Sequence, residues 1–169
     1  IDHCLVGSEM CIRDRVKDLD GNTLVLFNYV EKHGTPLYEL INNNVESSRK
    51  VFFVHGGTDV EDREEVRNLT ETESNAIIVA SYGTFSTGIN IKRLHNIVFA
   101  SPSKSRIRNL QSIGRVLRKG EGKDIATLYD IADDIGGQNY TLKHLNERVN
   151  IYNNENFKYE VIRVNLRAN

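Results

Sequence analysis

Five short apolar runs, each followed by a helical or polar stretch, constrain this chain more than any other feature. They are residues 23–27 (TLVLF), 50–54 (KVFFV), 75–80 (NAIIVA), 95–100 (HNIVFA) and 125–130 (IATLYD). Short continuous runs of this kind, rich in β-branched and aromatic residues, fit strands covered on both faces, as parallel sheets require. Helix signals fall between them. Residues 30–44 place Leu37, Leu40 and Ile41 on one face, and Thr58 or Asp59 can cap a helix reaching about Glu71. Ser103 or Ser105 opens another helix to about Arg118, stopped by Gly120, and residues 142–153 form a last one. Residues 81–88 read as a polar, glycine-containing loop. Residues 159–166 alternate, which predicts a final strand at a sheet edge. Repeated β–α units of about 30 residues predict a three-layer α/β fold, a mostly parallel sheet with helices on both faces.

Composition narrows the class. With 169 residues, 39% hydrophobic and 27% charged, the chain can bury one core and is not a disordered segment. Basic and acidic residues number 22 and 23, so net charge points to no acidic partner. Cys4 and Cys11 make neither a disulfide framework nor a zinc site, HExxH is absent, and no metal ligand set is expected. No signal peptide or long apolar stretch is present, which sets the expectation of a cytoplasmic protein.

The first residue is Ile and the single Met is Met10. The stretch Gly7-Ser8-Glu9-Met10-Cys11-Ile12-Arg13-Asp14-Arg15 resembles translated sequencing-adapter DNA. The expectation is therefore a fragment, with residues 1–15 an artefact or disordered tail and the domain proper spanning 16–169.

In open parallel sheets, ligands bind beyond the carboxyl ends of the strands. Here those positions hold Asn28 and Tyr29, His55 to Gly57, residues 81–90, and residues 101–104. The sharpest pattern is Gln111-Ser112-Ile113-Gly114-Arg115-Val116-Leu117-Arg118-Lys119. On a helix, Gln111, Arg115 and Arg118 share one face. Residues 104–123 hold seven basic side chains against one acidic one. Paired arginines suit the oxygens of a polyphosphate; a solvated basic helix is the plainer reading of the same charge run. The second pattern is Ala80-Ser81-Tyr82-Gly83-Thr84-Phe85-Ser86-Thr87-Gly88-Ile89-Asn90, whose hydroxyls and backbone N–H groups could face phosphates or simply form a turn.

In this order and spacing the two patterns resemble motifs V and VI of superfamily 2 helicases, and in particular of phage UvsW-like repair helicases. Residues 24–29 look like motif IV, and the resemblance runs from about Asn22 to Leu166. It implies a RecA-like domain of the P-loop NTPase second-domain type, lacking its own P-loop. By that resemblance Arg118 is the arginine finger, Arg115 meets the γ-phosphate, and Gln111 orients the attacking water or a neighbouring group. Gly88 and Asn90 line the nucleotide, although many relatives carry Asp where Asn90 stands. Asn28, Tyr29, His55, Ser81 and Thr84 occupy places where the family holds nucleic acid, mainly through phosphates. His55 reads equally as a strand-end hydrogen-bonding residue, and Tyr29 as packing on the next helix.

The pattern G-x-x-x-x-G-K-[ST] does not occur: before Gly122-Lys123, Leu117 replaces the first glycine, and Asp124 replaces Ser/Thr. No Asp-Glu box is present to hold magnesium. The resemblance thus implies that ATP and Mg²⁺ are held mainly by a missing N-terminal motor domain. The partners implied are that domain and DNA, with RNA, branched DNA and R-loops left open. The competing reading is a stand-alone nucleic-acid- or partner-binding module without ATPase activity. A doubly wound nucleotide- or flavin-binding enzyme is disfavoured, since no G-x-G-x-x-G follows a strand.

Overall fold

The computed structural model describes residues 3–86, 91, 93–101, 126–133 and 140–163, with side chains described from Met10 to Thr84 and in the later segments. Five parallel strands form one sheet in the order β2-β3-β1-β4-β5. They are β1 (Thr23–Phe27), β2 (Val51–Val54), β3 (Ile77–Ser81), β4 (Asn96–Phe99) and β5 (Thr127–Asp130). The described helices are α1 (His3–Asp18), α2 (Thr35–Asn42), α3 (Val60–Thr72), the short α4 (Tyr82–Ser86) and α5 (Tyr140–Asn154).

The three central strands are buried throughout, which is why they read as unbroken apolar runs. Their alternate residues serve two cores. Leu24, Leu26, Ile78, Ala80, Ile97 and Phe99 face one side, where Val66 of α3 and Tyr152 of α5 cover them. Val25, Phe27, Ile77, Val79 and Val98 face the other, beneath Ile12 and Val16 of α1 and Leu37 and Ile41 of α2. The chain steps from β1 past β3 to β2 and then returns to β3. Right-handed crossovers therefore require α2 and α3 on opposite faces.

Residues 1–15, expected to stand outside the domain, are helical from His3 onward. Ile12 and Val16, four apart, are buried on one face of α1, and Leu19 follows just beyond its end, so the last turns of this helix pack on the sheet. A single helix expected over residues 30–44 is divided. Val30–Gly34 forms a π-helical turn in which the N–H groups of His33 and Gly34 both bond the carbonyl of Tyr29, at 3.0 and 2.9 Å. Pro36 lacks the N–H that would continue the ladder. Gly34 also lies on the Phe27 ring, and a Cβ there would come within 2.5 Å of it.

Two further expectations are corrected. Residues 82–86 are a short helix rather than loop, because the Ser81 hydroxyl accepts the Thr84 N–H at 3.3 Å and caps the turn. Residues 159–163 pair with no strand among the described residues, and Val161 and Ile162 stay exposed. Alternation prepares a segment for a sheet edge, but it does not supply the neighbouring backbone.

The amino-terminal edge of the sheet is held by polar side chains. Asn22, fully buried, donates to the carbonyls of Thr70 and Glu73 and accepts the Ala76 N–H, at 2.9 Å in each case. Arg49 donates to the carbonyls of Val16, Lys17 and Asn75.

Candidate functional site

Strand register aligns the carboxyl ends. Val54, Ala80, Leu26, Phe99 and Asp130 lie in one rung across the sheet. His55, Ser81, Asn28 and Ser101 therefore emerge at the same edge, as the sequence predicts for a parallel sheet. The chain leaves β1 toward the face covered by α2 and leaves β3 toward the opposite face through Tyr82. This divergence makes the β1–β3 boundary a topological switch point.

The polar groups at this edge are ordered by one another. Asn28 Nδ2 donates to the Ser101 carbonyl at 2.8 Å, and Ser101 Oγ lies 3.1 Å from His33 Nδ1. The His33 ring meets Tyr29 edge-on, with centroids 5.7 Å apart and planes at 70°. A closed circuit thus joins Asn28, Ser101, His33 and Tyr29. Burial, and secondarily the Lys32 charge, lower the pKa of His33 from its ordinary value.

On the β3 side, Ser81 and Thr84 are buried and their hydroxyls lie 2.7 Å apart. At the β2 end, the His55 ring packs on Phe53 with centroids 5.2 Å apart. His55 Nδ1 accepts the Gly57 N–H at 3.1 Å, which leaves the proton of the neutral ring on Nε2. Of the two expected cap residues, Asp59 occupies the N-cap position of α3, while the Thr58 hydroxyl accepts the His55 N–H. Arg63 of α3 secures this turn through the carbonyls of Thr58 and Gly56.

The five expected nucleic-acid residues, Asn28, Tyr29, His55, Ser81 and Thr84, therefore share one edge. Tyr29 projects into solvent, while the others carry internal bonds. Gln111, Arg115, Arg118, Gly88 and Asn90 lie outside the described residues. His33 was not singled out from sequence; its spacing from Tyr29 within one helical turn was the available signal.

A second arrangement was also not singled out. Arg148 of α5 clasps Asp130, the last residue of β5, through Nε to Oδ2 at 2.7 Å and Nη2 to Oδ1 at 2.8 Å. The Tyr152 hydroxyl donates to the same carboxylate at 2.6 Å, and burial raises the phenol pKa well above its usual range. Arg148 is 1% exposed. Its signal in sequence was an Arg and a Tyr four residues apart on one helix face, following a strand that ends in Asp.

Residues 8–120 match the family described as the helicase conserved C-terminal domain. The chain belongs to that family. It is 42% identical over 160 residues to the ATP-dependent DNA helicase uvsW of Enterobacteria phage T4, an alignment covering 87% of this chain and 31% of that protein. The crystal structure of T4 UvsW superposes with a TM-score of 0.73 at 39% identity, covering 89% of this chain and 33% of that one. Domain 2 of the DEAD-box helicase Mss116p, solved with an RNA duplex, gives a TM-score of 0.67 at 15% identity, covering 88% of this chain and 57% of that one. That likeness establishes the RecA-like fold. The chain spans about a third of the length of the T4 protein. It is the C-terminal domain of a superfamily 2 helicase of UvsW-like type. Among the described residues no helix is long and apolar enough to cross a membrane.

Proposed function

We propose that this chain is the second motor domain of an ATP-dependent DNA helicase or translocase, contributing an arginine finger and part of the nucleic-acid track. The observation that carries the reading is the family match over residues 8–120, which contains both the 80–90 segment and the Gln111-x-x-Gly114-Arg115-x-x-Arg118 sequence. Arg118 is the finger, Arg115 contacts the γ-phosphate, Gln111 orients the attacking water or a neighbouring group, and Gly88 and Asn90 line the nucleotide. Phosphoryl transfer spreads charge over the γ-oxygens, and arginines held at fixed positions stabilise it. Asn28, Tyr29, His55, Ser81 and Thr84 form the track, supported by their alignment along one sheet edge.

The sequence holds no P-loop. ATP phosphates and Mg²⁺ are accordingly assigned mainly to a separate N-terminal motor domain, and the isolated chain does not hydrolyse ATP. Likeness to the T4 helicase supports DNA as substrate and a cytoplasmic location, the host's cytoplasm if the chain is phage-encoded. The start of the domain proper at residue 16, with residues 1–15 an adapter-derived artefact or a tail, also belongs to this proposal, although Ile12 packs on the sheet. Re-sequencing the source DNA across the codon for Val16 tests that assignment.

The functional test is Arg118→Ala in the full-length enzyme. Turnover should fall about 10³–10⁵-fold, the range assigned to arginine fingers, with DNA binding retained. Normal turnover in that variant would sink the finger assignment. Phosphate release by the 169-residue chain alone would sink the division of labour between two domains.

A further inference from the structure

Ser101 is the last described residue beyond β4, and the chain that follows it in sequence carries Gln111, Arg115 and Arg118. The sheet ladder ends just before it, where the Ala100 N–H donates to the Leu26 carbonyl at 2.9 Å. Among the described residues two side chains then hold Ser101, and both come from the β1 exit. Asn28 Nδ2 donates to the Ser101 carbonyl at 2.8 Å, and His33 Nδ1 lies 3.1 Å from Ser101 Oγ. These contacts span 73 and 68 residues of sequence. His33 is itself seated by the π-helical turn, in which its N–H and that of Gly34 share the Tyr29 carbonyl. Single π-helical turns concentrate at functional sites.

The Asn28 amide is only half engaged, because its Oδ1 is buried with no hydrogen-bonding partner among the described residues. An unmet buried acceptor is costly, so this amide gains by reorienting when its surroundings change. Asn28 and Tyr29 belong to the proposed track, and each reaches Ser101 within one contact or two: Asn28 directly, Tyr29 through His33. Pro102 follows in sequence and narrows the torsions open to Ser101, which leaves that residue little freedom to absorb a shift. We infer that His33 is a positioning residue: through Ser101 it passes occupancy of the β1 exit to the segment that carries the arginines, so that bound nucleic acid speeds ATP turnover. The inference rests on the motor-domain reading above and names the side chain through which track and arginines communicate. His33 itself touches neither nucleic acid nor ATP in this role.

The test is ATP turnover by the full-length enzyme, with and without saturating forked DNA, which presents both single and double strands. The ratio of the two rates does not depend on how much of a preparation is folded, so a merely structural loss leaves it unchanged. His33→Ala should lower that ratio about 2- to 10-fold, the worth of one hydrogen bond, with the rate without DNA and the affinity for DNA unchanged. His33→Asn, which places a donor or acceptor where Nδ1 stands, should restore the ratio. Ser101→Ala should lower it as much as His33→Ala, and the double variant no further, because one contact is lost in all three. Full stimulation in His33→Ala, an equal fall in both rates, a matching loss of DNA affinity, no rescue by His33→Asn, or additive losses in the double variant overturns the role of His33 while the motor reading stands. Turnover that DNA does not raise in the unsubstituted enzyme overturns it as well. Absence of ATP turnover in the unsubstituted full-length enzyme overturns the motor reading itself.

Discussion

Arg148 and Asp130 face each other with side chains only 2% and 8% exposed and a closest approach of 2.7 Å. Both ends of this pair are shielded from water, so its two halves depend on each other. Removing one partner of a buried pair strands the other charge, at a cost of about 3–5 kcal/mol. Arg148→Ala and Asp130→Ala should each lower the unfolding free energy by that amount in urea titrations. A double substitution to well-packed apolar residues should recover most of it, because it leaves no unpaired charge.

Tyr152→Phe tests the third member of the same cluster. It removes the hydroxyl that donates to Asp130 at 2.6 Å and keeps the ring packed near Phe157. Hydrogen bonds to charged groups contribute about 1.5–3 kcal/mol. The expected result is a loss in that range, smaller than for Arg148→Ala.

Gly34→Ala should be destabilising although the site lies within a helical turn, where alanine is normally favoured. The added methyl would come within 2.5 Å of the Phe27 ring, itself buried between β1 and α2. Overpacking of this kind costs about 1–3 kcal/mol. Phe27→Leu should reduce the penalty of Gly34→Ala, and a double-mutant cycle by thermal unfolding measures that coupling.

Stability should depend on pH through His33. Its folded-state pKa is lowered by burial, so below the ordinary value of 6.5 the unfolded chain binds more protons than the folded one. Unfolding free energy should therefore rise with pH from the lowered folded value up to about the ordinary one and then level off. His33→Gln should flatten that segment of the profile. An unchanged slope would show that another group titrates there.

Burial of Asn22 makes a different kind of prediction. Its amide links β1 to the end of α3 and the start of β3. Asn22→Ala would leave buried carbonyl and N–H groups unmet, each costing about 1–3 kcal/mol. Loss of cooperative unfolding, or a fall of at least that size, is the expected outcome in denaturant titration.

Much of the architecture was legible in the chain because parallel strands covered on both faces must be apolar at every position. Residues 23–27 predict β1 with its observed bounds, and the other four strands fall within two residues of their expected positions. The carboxyl-edge placement of Asn28, Tyr29, His55 and Ser81 followed from that same rule. What these residues bond to did not, because each partner lies far away in sequence or competes with a local one. Ser81 could have met solvent or a ligand, and only the turn into α4 commits its hydroxyl to Thr84. The alternation of residues 159–163 was equally clear, yet a strand needs a neighbour's backbone, which no periodicity encodes.

Composition and periodicity, then, determined an α/β chain with its ligand edge at the strand ends, since these depend on local pattern and on the handedness of crossovers. Tertiary structure alone decided that Tyr29 faces water on a fixed mount, and that Arg148 closes on Asp130 across eighteen residues. Those outcomes depend on which elements come to lie side by side, and on which polar groups lose water when they do.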